Sequence, residues 1–141
     1  MEHLYFCRKP RSQACRLLAC LAALLLFLPY TLPAQESYYQ QAIALAQAQA
    51  HEEAAVLLNE LVRDYPTYLP AQIMRAHNLA WWGRYVQAIE AYQELLALYP
   101  QNMEIQEGLA YARIWAGDWP GGLAIFRELL RQDPNNDAAL K

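Results

Sequence analysis

Two short stretches decide the fold: Ala80-Trp81-Trp82-Gly83-Arg84-Tyr85 and, 34 residues later, Ile114-Trp115-Ala116-Gly117-Asp118-Trp119. The same interval separates Pro66, Pro100 and Pro134, and much of the chain between them matches in register. Glu94-Leu95-Leu96 answers Glu128-Leu129-Leu130, Ala76 answers Ala110, Tyr92 answers Phe126, and Asn102 answers Asn136. A fixed period of this size marks a repeat architecture, in which each unit buries its apolar face against its neighbours.

Taking the prolines as closing each unit gives units at 35–68, 69–102 and 103–136, with 137–141 as the start of a truncated fourth. Ile73, Ala76, Leu79 and Ala80 fall at helical spacing, as do Ala88, Ile89, Tyr92, Leu95 and Leu96. Gly83 lies between these runs, where a left-handed residue ends the first helix, and Pro100 stops the second. The third unit repeats the punctuation with Gly117, Pro120 near the first helical position, and Asp133-Pro134. In the first unit Gln49 stands where the others have glycine, and His51 where they have Tyr85 and Trp119. Ala42, Leu45, Ala54, Leu58, Leu61 and Pro66 still keep the pattern, and its Ala- and Gln-rich helix suits a terminal cap. The expected architecture is all-α: an α-solenoid of three antiparallel helix pairs.

These residues resemble the tetratricopeptide (TPR) family over essentially all of 35–136. The resemblance rests on small residues at Ala42/Ala76/Ala110 and Ala54/Ala88/Gly122, an aromatic or Leu at Leu58/Tyr92/Phe126, and the closing prolines. The family's usual unit-opening Trp is replaced by Tyr38, Gln72 and Gln106. The resemblance implies a right-handed superhelix. It also implies a concave face lined by the first helix of each pair: Tyr39, Ile43 and Gln47, then Ile73, His77 and Trp81, then Glu107, Tyr111 and Trp115. The basic cluster with which some members clamp a C-terminal carboxylate has no counterpart here. More narrowly, the Ala80–Tyr85 turn together with the N-terminal segment resembles the periplasmic TPR segments that precede YaiO-type outer-membrane β-barrels.

That N-terminal segment has its own character. Arg8, Lys9, Arg11 and Arg16 precede an uninterrupted apolar run from Leu17 to Leu28, followed by Pro29 and the small Ala34. The order predicts a signal peptide over residues 1–34, cleaved before Gln35, with an uncleaved anchor as the alternative. The run is shorter than the roughly 20 residues of a membrane-spanning helix. Cys20 lies inside the run rather than at its end, which argues against lipidation there. All three cysteines, Cys7, Cys15 and Cys20, fall in this segment, so the remainder offers no thiol for disulfides, metals or nucleophilic attack.

From Gln35 onward seven basic residues face thirteen acidic ones, a net charge of −6. Such a chain opposes phosphate backbones and anionic headgroups, so neither nucleic acid nor a membrane surface is the expected partner. No catalytic motif competes with the repeat. Ser37 is the only serine after the leader, and His51 and His77 lack a second ligand at metal spacing. The expectation is a non-enzymatic exported scaffold of the bacterial envelope, without cofactor or metal, binding a protein partner such as an outer-membrane β-barrel. A peptide- or carbohydrate-binding module using the aromatic groove is the alternative, with Trp81 and Trp115 either in that groove or packed within their own helix pairs. A second expected surface is the last helix, where Leu123, Phe126 and Leu130 form a docking edge unless a further unit covers them.

Overall fold

Three turns of one design set the topology. Gln49, Gly83 and Gly117, each 34 residues from the next, hold left-handed φ values of 62°, 78° and 92°. At each, the following amide reaches back five residues: Ala50 to Leu45, Arg84 to Leu79 and Asp118 to Arg113, at 2.9, 2.9 and 2.8 Å. This bonding satisfies the orphan carbonyls at a helix end and reverses the chain. The computed structural model describes residues 32–140, and those from Ser37 form one compact unit.

Six helices and no strand occur among the described residues. They are α1 (Leu32–Gln47), α2 (His51–Asp64), α3 (Leu69–Trp81), α4 (Tyr85–Leu98), α5 (Met103–Trp115) and α6 (Trp119–Gln132). The expected leader lies outside the described residues apart from its last three, which already belong to α1. No described helix is long and apolar enough to cross a membrane.

The second helix of each pair ends without glycine. The amides of Tyr65, Tyr99 and Asp133 donate to Leu61, Leu95 and Leu129, all at 2.8 Å, and the next residue is the period proline. Proline keeps its predecessor out of the helical region, which turns the chain toward the next pair. At the unit-opening positions, Gln72 and Gln106 have a defined task. Gln106 Nε2 donates to the carbonyl of Pro100 at 2.7 Å, and Gln72 does the same to Pro66. Each glutamine ties its helix to the loop that closes the preceding pair.

Helix starts follow local chemistry. Asn102 caps α5 through Ile105 N (3.0 Å), Asp118 caps α6 through Gly121 N (3.0 Å), and Pro70 and Pro120 occupy first-turn positions. Glu52 and Glu53 lie in the first turn of α2, where negative charge complements the helix dipole.

Small residues set the helix separation. Ala42, Ala76, Ala110, Ala54 and Ala88 are fully buried, and Gly122 is buried too. A β-carbon on Gly122 would sit 2.8 Å from the carbonyl oxygen of Ala110, so α5 and α6 approach as closely as glycine permits. Leu58, Tyr92 and Phe126 fill the next layer, with Leu61, Leu95 and Leu129 below them. Truncating a fully buried leucine such as Leu58 or Leu129 to Ala costs ~2–5 kcal/mol. The first helices α3 and α5 also touch one another directly, so the pairs stack.

Beyond α6 the chain folds back. Asn136 accepts from Ala139 N at 2.8 Å, repeating the cap that Asn102 makes, and Leu140 N reaches Asn136 O. Ala139 packs on the cluster of Ala110, Phe126 and Leu129.

Candidate functional site

Helices α3 and α5 present one aromatic wall. Trp81 and Trp115 end these helices at equivalent positions and stay 46% and 45% exposed, so neither is buried within its own pair. Both line two adjoining clefts. One, of about 490 Å³, runs past Gln47, Gln49, His51 and Tyr85. The other, of about 340 Å³, is bounded by His77, Tyr92, Glu104, Glu107, Gly108 and Tyr111.

The aromatic rings order one another. His77 sits 5.7 Å from both Trp81 and Tyr92, and Tyr111 stacks on Trp115 at 5.7 Å with an interplanar angle of 28°. Tyr111 also meets Phe126 edge-on at 5.0 Å. Each tryptophan is thus oriented by the side chain one helical turn before it.

Behind this wall Tyr92 and His77 are hydrogen-bonded through the phenol oxygen and Nδ1. Burial lowers the His77 pKa, favouring the neutral ring. Burial, and then the charge of Glu104, raises that of Tyr92, favouring the protonated phenol. Two neutral partners share one proton in this bond, on the phenol or on Nδ1 according to the ring tautomer. Gly108 makes room for the pair: a β-carbon there would lie 2.6 Å from Tyr92 Cζ.

The floor is fixed from the C-terminal side. Asn136 Nδ2 donates to Glu107 Oε1 at 2.7 Å, and the Tyr111 hydroxyl donates to Ala138 O at 3.1 Å. On the N-terminal side buried Asn78 accepts from His51 Nδ1 (2.9 Å) and donates to His51 O (2.8 Å), joining α3 to the start of α2. The His51 ring stacks on Trp82, over which the Arg84 guanidinium lies at 3.5 Å.

Of the residues expected on the concave face, His77, Trp81, Glu107, Tyr111 and Trp115 come together at one cleft, with Gln47 at the adjoining one. Two do not. Ile73 is only 3% exposed and packs with Ile105 and Leu109, because α5 covers its side of α3. Tyr39 and Ile43 pack beside the α1–α2 core, Tyr39 edge-on to Tyr68 at 5.5 Å. The expected docking edge is likewise divided. Leu123 is exposed and Leu130 half-buried, whereas Phe126 is 8% exposed beneath Tyr111 and Ala139. Sequence reasoning missed Asn78, Glu104, Gly108 and Asn136. It took Tyr92 for core alone, although a buried phenol needs a hydrogen-bond partner and His77 lies across the turn to meet it.

Two family models, both described as tetratricopeptide repeat, match residues 36–68 and 83–141. Among solved structures the "MamA RS-1 ArsTM double mutant" is similar in fold, with a TM-score of 0.60 and 20% sequence identity. The similarity takes in 71% of this chain and 56% of that one, so this chain spans little more than half the length of that structure. No curated protein matches the chain.

Proposed function

From the premise that this chain carries tetratricopeptide repeats over residues 36–68 and 83–141, we propose that it is a non-enzymatic scaffold that holds a protein partner in the cleft between α3 and α5. One observation carries this reading: Trp81 and Trp115 stay nearly half-exposed on a shared cleft, while their neighbours His77 and Tyr111 are tied down behind them. Large amphipathic rings held in place before the partner arrives give contact area at little cost in side-chain entropy. The groove suits an extended segment better than a flat surface, since its two clefts run on from one another past the same indoles.

The setting we propose is the bacterial envelope, the chain being the front part of an outer-membrane export or assembly protein. The basic, apolar, proline, small-residue order of residues 1–34 supports export, and the acidic, cysteine-free remainder suits an oxidising compartment. A sugar face could stack on the same exposed indoles, which keeps carbohydrate binding as the second reading.

Peptide-display selection against the full chain tests the proposal. Selected peptides should lose binding to the Trp81→Ala/Trp115→Ala variant while its far-ultraviolet helicity is kept. Binding that survives the double substitution, or a selection that yields no peptide from a chain that binds oligosaccharides on a glycan array, would overturn it.

A further inference from the structure

We infer that the cleft of about 340 Å³ takes the guanidinium of an arginine on an extended peptide, between the rings of Trp81, Tyr111 and Trp115 and the carboxylates of Glu104 and Glu107. The inference rests on the reading of this cleft as the partner-binding face, and adds the chemistry of the occupant.

Charge selects the occupant's sign. Glu104 and Glu107 stand one helical turn apart on α5 and both line the cleft, whereas among the described residues no lysine or arginine lines it or its neighbour. The chain's own arginines nearby are directed elsewhere: Arg113 pairs with Asp118 at 3.2 Å, and Arg84 lies over Trp82. Asn136 fixes the Glu107 carboxylate in position, and Glu104 lies close enough to influence the buried Tyr92 phenol. His77, among the described residues the one in the cleft wall that could carry positive charge, is held toward its neutral form and bonded to Tyr92, so it does not compete for the carboxylates.

The walls select the kind of cation. Indole and phenol faces attract positive charge through their quadrupoles. A planar guanidinium stacks on such faces while directing its fork of N–H donors at carboxylates, whereas an ammonium is a compact, strongly hydrated point charge. Flat rings beside paired carboxylates therefore favour arginine over lysine.

The test uses the full chain with ¹⁵N-labelled indoles and three capped pentapeptides, Ac-Gly-Ala-X-Ala-Gly-NH₂, with X as arginine, lysine or the neutral isostere citrulline. The arginine peptide should shift the indole N–H signals of Trp81 and Trp115 saturably, and citrulline should bind about tenfold more weakly. Glu104→Gln, at an exposed position, should reproduce that loss with helicity unchanged. Equal binding of arginine and citrulline peptides, equal binding of the lysine peptide, or unmoved indoles would overturn the inference. Display-selected peptides that need both tryptophans but carry no arginine would overturn it while leaving the cleft as the binding face. Peptides indifferent to the tryptophans would overturn the cleft reading itself.

Discussion

Asn136 donates to Glu107 at 2.7 Å, tying the turn after α6 to the floor of the aromatic cleft on α5. The same asparagine accepts from Ala139 N, and the turn it caps brings Ala138 O to the Tyr111 hydroxyl. Two cleft residues, Glu107 and Tyr111, thus take their positions from the segment beyond the last helix. In a repeat stack this is how one unit orders the next, because each unit contacts only its neighbours.

Asn136→Ala removes both bonds and leaves the part-buried Glu107 carboxylate and the Ala139 amide of the turn without their partner. It should destabilise the chain by ~1–3 kcal/mol in urea unfolding, and hydrogen exchange at Ala139 and Leu140 should speed up more than in α3. Unchanged exchange at those amides would show that the turn is held by Ala139 packing alone.

The three left-handed turns should respond in opposite directions. Gln49 adopts φ 62° with a β-carbon, so Gln49→Gly should stabilise by ~0.5–1 kcal/mol. Gly83→Ala and Gly117→Ala meet open space but an unfavourable φ, and should each cost ~1 kcal/mol. Thermal unfolding midpoints of the three variants give the comparison.

The His77–Tyr92 pair sets a pH window. The folded histidine has a pKa below its ordinary 6.5, so the unfolded chain binds the extra proton and stability falls as pH drops below that value. The folded tyrosine has a pKa above its ordinary 10.0, so the unfolded chain loses its proton first and stability falls as pH rises above 10. Urea midpoints across this range should be flatter on the acid side for His77→Gln and on the alkaline side for Tyr92→Phe. An alkaline limb identical in Tyr92→Phe and the parent would contradict the assignment.

Much of the fold is legible because its determinants are local and recur. Gly83, Gly117, the period prolines and the buried Ala42/Ala76/Ala110 series each act through backbone conformation or helix separation, and a period exposes them. The proposed binding face is only half legible. Trp81 and Trp115 recur visibly, but the groups that position them do not: Tyr92 answers Phe126, which has no hydroxyl, and Asn78 answers Ala112. Ile73 and Glu107 share a repeat position yet differ in environment, the first covered by α5 and the second met by Asn136. Periodicity reports what units have in common, whereas a site on a short stack depends on how they differ.

In the proposed function the exposed indoles of Trp81 and Trp115 form a binding wall rather than part of the core. Circular dichroism and peptide binding on the Trp81→Ala/Trp115→Ala variant test it most directly. Helicity should stay within a few per cent of the parent, since neither ring is buried, while binding of display-selected peptides is lost. Collapse of helicity, or binding that persists in the variant, would contradict it.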